Sequence, residues 1–253
     1  MLNWICVTQA TVIGTLLGFG VGLLSPPAIA NYPANSDPPP NTRGRSAGSR
    51  GCSLPSVAGN TSTNNSSLEE APALILLAPD RMGKTVSTQP TFAWFSRYTD
   101  IPVTFRLYEY DDAGQTYHLL AETLNKATHS GILLQSLPSE IATLSLGQRY
   151  LWQVELVCDR NRPSGNLFAE AEFEVTEPSA TLAEALANAA TDADKAAIYA
   201  AEDLWYDALS MTLTADISVD EAMDSLRSVL FSQVTLTDAE QVRFENSSVY
   251  WME

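Results

Sequence analysis

The sequence predicts an α+β chain, an antiparallel β-sandwich followed by a small α-helical region. Three observations carry that reading: alternating polarity in short runs from Ala73 to Glu177, a glycine-to-tyrosine corner before one of those runs, and a change at Pro178 to Ala-rich sequence with helical spacing. The expected organisation is a signal peptide over 1–30, a polar linker over 31–70, the sandwich over 71–177 and the helical region over 178–253.

Seven strands are expected, near 73–78, 91–96, 102–110, 115–124, 131–136, 149–158 and 167–176. In the third, Val103, Phe105 and Leu107 share one face and Thr104, Arg106 and Tyr108 the other. Asp111-Asp-Ala-Gly114 then supplies a hairpin turn. In the last, Leu167, Ala169, Ala171, Phe173 and Val175 point inward against Glu170, Glu172 and Glu174, the pattern of a sheet packed on one side and wet on the other.

The most specific local motif is Leu144-Ser-Leu-Gly147-Gln-Arg-Tyr150-Leu-Trp152. It resembles the tyrosine corner of immunoglobulin-like and fibronectin type III-like domains, whose Tyr hydroxyl bonds to nearby backbone. In that register Tyr150, Trp152, Val154, Leu156 and Cys158 line the inner face, and Pro90-Thr-Phe-Ala-Trp94 supplies the core aromatic Trp94. These are structural roles.

Beyond Pro178, four cap signatures announce helices: Thr181-x-x-Glu184, Thr191-x-x-Asp194, Ser218-x-x-Glu221 and Thr237-x-x-Glu240. Apolar stripes run through Ile198, Ala201, Trp205, Ala208 and Leu209, and through Ala222, Met223, Leu226, Val229 and Leu230. The stretch Ala197 to Leu209 looks like one degenerate tetratricopeptide-type unit. A single unit forms no solenoid, so a helical hairpin docked on its neighbours is expected rather than a peptide groove.

Residues 1–30 carry no Lys, Arg, Asp or Glu, run apolar from Trp4 to Leu24 and end in Ala28-Ile29-Ala30, the small-residue pattern of a cleavage site. Export to the periplasm or outside the cell is expected, with a retained membrane anchor as the alternative. No later segment is apolar enough to span a bilayer. Residues 31–70 are rich in Pro, Asn, Ser, Thr and Gly, a composition that does not repay the entropy of ordering.

Past the leader two cysteines remain, Cys52 and Cys158, the smallest set that closes a bridge in an oxidising compartment. A Cys52–Cys158 disulfide is expected, against two separate thiols. Cys52 precedes the first strand, so the bridge would pin the linker's end beside the far end of strand 149–158.

Acids outnumber bases 30 to 14, a net charge of −16 that disfavours nucleic acid, whose phosphates require clustered Lys and Arg. The excess sits mainly in 178–253, with fourteen acids and three bases, and reads as a solubilising surface. Ala78-Pro-Asp-Arg-Met-Gly83-Lys84-Thr85 fits a relaxed phosphate-loop pattern, but Val86-Ser-Thr-Gln-Pro90 after it is poor helix material, and a phosphate loop must open a helix. His118 and His129 stand apart from metal-ligand spacing. No catalytic residue, cofactor or metal site is expected.

The leader, the linker, Arg50-Gly51-Cys52, the Pro90–Phe95 and Leu144–Asp159 segments and the Tyr199-to-Leu209 stretch together resemble a family of exported cyanobacterial proteins, domain of unknown function nine-two-eight. The resemblance covers most of residues 50–215. It implies the architecture and the compartment, and no catalytic residues.

The expected function is that of a non-catalytic interaction or scaffold module of the cell envelope with a protein partner. A carbohydrate-binding module that takes polysaccharide is the first alternative, with Trp94, Tyr98, Tyr108 and Tyr110 as candidate ligand aromatics, although strand parity turns Trp94 inward. A hydrolase with dispersed carboxylates is the second, and requires a cleft with paired acids of shifted pKa.

Overall fold

The computed structural model describes residues 52, 73–137, 141, 143–214 and 221–252. The leader, nearly all of the linker and the Ser218 cap lie outside the described residues. The chain forms β1 (Leu74–Leu76), β2 (Gly83–Thr85), β3 (Thr91–Ser96), β4 (Ile101–Asp111), β5 (Thr116–Ala127), β6 (Gly131–Ser136), β7 (Gln148–Leu156) and β8 (Leu167–Val175). There follow α1 (Leu182–Asn188), α2 (Asp192–Ala201), α3 (Trp205–Thr214), α4 (Glu221–Phe231), α5 (Asp238–Glu245) and β9 (Val249–Trp251).

Two sheets pack face to face in a sandwich-like arrangement. One has the order β1-β3-β6-β9, the other β2-β8-β7-β4-β5. Pairing among the seven expected strands is antiparallel, whereas the two short additional strands, β2 on β8 and β9 on β6, pair in parallel. Phe92 of one sheet meets Phe105 and Trp152 of the other at 5.1 Å and Phe173 at 5.4 Å, so an aromatic cluster fills the space between them.

In β4, β7 and β8 of the five-stranded sheet the inward residues are buried and most outward ones stay at least partly exposed, Thr104, Leu151 and Glu172 being outward positions that are buried too. The four-stranded sheet departs further from one-sided burial. Leu74, Ile75 and Leu76, Phe92 to Phe95, and Ile132 to Leu134 are buried on both faces. The physical reason is a third layer: the helices cover the outward side, where Phe244 of α5 stacks on Phe95 at 4.8 Å. Strands buried on both sides read as continuous apolar runs, which these do.

The helical region is not a separate body. A single apolar core runs from Leu74 through Trp152 to Phe244, and β9 completes a sheet of the sandwich. The stripe from Ile198 to Leu209 is divided between α2 and α3, where the chain turns at Asp203, in the left-handed region at φ 62. The Thr191 and Thr237 capping boxes both form, while Thr181 begins α1 without a side-chain cap.

The phosphate-loop-like segment runs into β2 and opens no helix. Arg81 and Lys84 instead hold Asp203 at 2.6 and 3.4 Å, anchoring the α2–α3 turn. Gly83 lets the Tyr206 ring approach, since a Cβ there would lie 2.5 Å from Tyr206 Cε2. The described residues contain no helix long and apolar enough to cross a membrane.

Candidate functional site

Helices cover one sheet, so the broad surface left to solvent is the outward face of the five-stranded sheet. Strand register assembles it in rows. Phe168, Glu155, Thr104 and Leu124 form one row, and Glu170, Gln153, Arg106 and Glu122 the next. Glu172, Leu151, Tyr108 and Leu119 follow, and Tyr110 pairs with Tyr117 at the far end. Period-two alternation puts these residues on one side and the core on the other.

Arg106 organises the centre. Its Nε meets Glu122 at 2.5 Å, and its Nη1 meets Glu155 at 2.7 Å and Gln153 at 3.0 Å. Tyr117 lies 5.0 Å from Tyr110 and donates its hydroxyl to Glu172 at 2.7 Å. Burial, then the Glu172 bond, pushes the Tyr117 phenol up, so it stays a neutral donor. Arg149, paired with Asp112, lies over the Tyr110 ring at 4.3 Å. Leu119, Leu124 and Phe168 stay exposed. Hydrophobic and aromatic groups thus alternate with paired charges on this face.

The candidate aromatics separate. Tyr108 and Tyr110 lie half-buried on this face. Tyr98, expected to join them, is buried in the turn at the opposite end of β4, where Arg97 donates to its hydroxyl at 2.9 Å. Trp94 is fully buried between the sheets. Tyr117, Leu119 and Phe168 were not singled out by the sequence, because β5 and β8 contribute them through register.

The structural residues stand as follows. The Tyr150 hydroxyl accepts from the Ser145 backbone N–H at 2.9 Å. Gly147 turns the chain at φ 73, and Trp152 is buried between the sheets. Cys52 and Cys158 form a disulfide, with Cα atoms 5.0 Å apart, just past the end of β7.

A second concavity, of about 130 Å³, lies where α2 and α3 meet the chain after β2, lined by Thr85, Ser87, Gln89, Tyr199, Asp207 and Ser210 among others. Asp207 accepts from the Val86 backbone N–H at 3.1 Å. Burial raises its pKa to about 6 against the opposing hydrogen bonds from Thr85 and Val86. Among the described residues it is the one carboxylate lining this cleft. Among the described residues no group of three His, Cys, Asp or Glu stands close enough to hold a metal ion. His118 lies 3.7 Å from Asp111, and His129 stacks on Tyr250 at 4.1 Å.

No curated protein matches the chain. Three solved lytic polysaccharide monooxygenases, from Kitasatospora papulosa, Cellvibrio japonicus and Streptomyces lividans, align with it at 13%, 14% and 16% identity and TM-scores of 0.29, 0.28 and 0.25. The alignments cover 39%, 38% and 37% of this chain and 53%, 56% and 58% of theirs, so the chain spans little more than half the length of each. The family model described as Domain of Unknown Function (DUF928) matches residues 45–244, and the chain belongs to that family.

Proposed function

We propose that this protein is an exported, non-catalytic interaction module of the cell envelope, periplasmic or extracellular, that takes a protein partner on the outward face of its five-stranded sheet. One observation carries the reading. Helices cover the four-stranded sheet, while the other sheet turns Tyr108, Tyr110, Leu119, Leu124 and Phe168 outward among the paired charges of Arg106, Glu122 and Glu155. Tyr and Arg are the side chains that most often dominate protein–protein binding energy.

Export is supported by the Cys52–Cys158 bridge, which persists in an oxidising compartment, together with the charge-free leader. An immunoglobulin or fibronectin III-type sandwich is supported by the three-and-four division of the seven expected strands and by the Tyr150–Ser145 bond. On this reading residues 31–70 tether the folded part.

The test is envelope capture with a cleavable crosslinker. The wild-type chain should recover a defined protein that a Tyr108→Ala, Leu119→Asp double variant loses while remaining folded. Equal recovery by both would overturn the reading.

Carbohydrate binding is the second reading, favoured by Tyr108, Tyr110 and Tyr117 on one face. Arg149 over Tyr110 weighs against it, since that ring face is not open for sugar stacking. Retention on immobilised polysaccharide, lost on Tyr108→Ala and Tyr110→Ala, would replace the protein reading with this one.

A further inference from the structure

The open edge of the five-stranded sheet carries its own complement. β5 ends the strand order and, among the described residues, pairs only with β4, so one row of its backbone amides and carbonyls faces away from the sheet. Such an edge accepts a further strand unless bulges or charges blunt it. A bulge at Leu120 interrupts the pairing, and from Ala121 to Ala127 the ladder is regular.

That regular stretch, Ala121-Glu-Thr-Leu124-Asn-Lys-Ala127, is a near-palindrome in size and charge. Laid antiparallel against a copy of itself about Leu124, it sets Ala121 opposite Ala127, Glu122 opposite Lys126, Thr123 opposite Asn125 and Leu124 opposite Leu124. Other registers lose the match: centring on Glu122 opposes two carboxylates, and centring on Asn125 opposes Leu124 to Lys126. Directly opposed unlike charges favour a strand pair and like charges disfavour it.

We propose that the protein pairs with a second copy of itself through residues 121–127 of β5, joining two five-stranded sheets into one ten-stranded sheet across a two-fold axis at Leu124. The contact is isologous, so every pair but Leu124 on Leu124, which lies on the axis, occurs twice. Three further observations fit. Leu124, 62% exposed, is the most exposed large hydrophobic side chain among the described residues, and the contact buries it against its copy. The buried Thr123 hydroxyl has no hydrogen-bond partner, and pairing sets it opposite Asn125, whose amide nitrogen already donates to Gln135 at 2.9 Å. Finally, α3 packs against β2, which ends the sheet on the side away from β5.

The charges now beside this edge are compatible with pairing. Glu122 holds Arg106 at 2.5 Å and Lys126 holds Asp100 at 2.8 Å, both on exposed surface, where such pairs contribute little and can be shared. Glu122 would then sit between Arg106 and the second copy's lysine.

The experiment is sedimentation velocity on the whole chain across a concentration series. The wild type should show a dimer that dissociates on dilution. Glu122→Lys opposes two lysines at each of the two contacts and should raise the dissociation constant about tenfold or more, as should Lys126→Glu. The combined Glu122→Lys, Lys126→Glu variant restores opposite charges and should return the dimer, with circular dichroism unchanged throughout. A monomeric wild type, a dimer indifferent to all three variants, or a combined variant no better than the singles would overturn the proposal. Glu122 and Leu124 belong to this edge and to the outward face alike, so the two readings are separated by Tyr108→Ala, which lies inboard on β4 and should leave the dimer intact whether or not it loses the captured protein.

Discussion

The indole Nε1 of Trp152 donates to the hydroxyl of Tyr206 at 3.0 Å, in buried space where β7 meets α3. Tyr206 also places its ring against Phe92 and Phe173, so this side chain fastens the helical region into the sandwich core. Tyr206→Phe preserves those ring contacts and leaves the indole N–H buried without an acceptor. The expected loss is about 1–3 kcal/mol in urea unfolding, with the native fold retained. An unchanged midpoint would mean that the bond contributes nothing to the junction.

Asp207 makes stability depend on pH with a sign opposite to that of an ordinary salt-bridged acid. Burial raises its pKa to about 6 in the folded chain, against about 4 when unfolded. Between those values the native state keeps a proton that the unfolded state gives up. The contribution is therefore complete below about pH 4 and is lost as the pH rises through about 6, with an amplitude of about 3 kcal/mol. Asp207→Asn removes the titration. The wild-type-minus-variant difference in denaturant midpoint should fall across that interval and be flat above it, and a difference independent of pH would refute the shift.

How much of this could be read in advance varies by element, and the reason is the range of the interaction involved. In β4, β7 and β8, alternation placed Phe105, Trp152 and Phe173 correctly because each contrast lies within one strand. In β3 and β6 the uninterrupted runs Phe92–Phe95 and Ile132–Leu134 reported burial on two sides, but only the distant Phe244 says what covers the second. β2 and β9, three residues each, are too short for any period to appear. The outward face was half visible: Tyr108 and Tyr110 follow from parity within β4, whereas Tyr117, Leu119 and Phe168 join through pairing across strands. Asp207 falls within the acid excess of 178–253 that reads as a solubilising surface, and its burial depends on β2, which is not among the seven expected strands.

Gly83 and Gly147 should respond to alanine for different reasons. At Gly83 the new methyl would meet Tyr206 Cε2 at 2.5 Å and Pro79 Cγ at 3.2 Å, so Gly83→Ala overpacks the seat of α3 and should cost about 1–3 kcal/mol. At Gly147 the methyl enters open space, but φ is 73, so Gly147→Ala carries only the left-handed penalty of about 1–2 kcal/mol. Combining Gly83→Ala with Tyr206→Ala tests the assignment. The Tyr206 share of the overpacking penalty should vanish in the double variant, leaving only what Pro79 imposes, whereas the Gly147→Ala cost should persist whatever stands at 206.

The Cys52–Cys158 bridge joins residues 106 apart in sequence. In the chain-entropy account, closing a loop of that size removes about 4–5 kcal/mol of freedom from the unfolded chain. The β7 end of the bridge is also held independently, because the Asn166 carboxamide oxygen accepts from the Cys158 N–H at 3.0 Å and from the Asp159 N–H at 3.4 Å. Loss of the bridge should therefore act mainly through the unfolded state and leave the fold around β7 and β8 intact. Cys52→Ser and Cys158→Ser should each lower the unfolding midpoint by a similar amount, and the double variant should fall no further than either single. Reductant should bring the wild type to the same level and leave the variants unmoved. If instead the two single losses add, the thiols act separately and the stabilisation does not come from their bond.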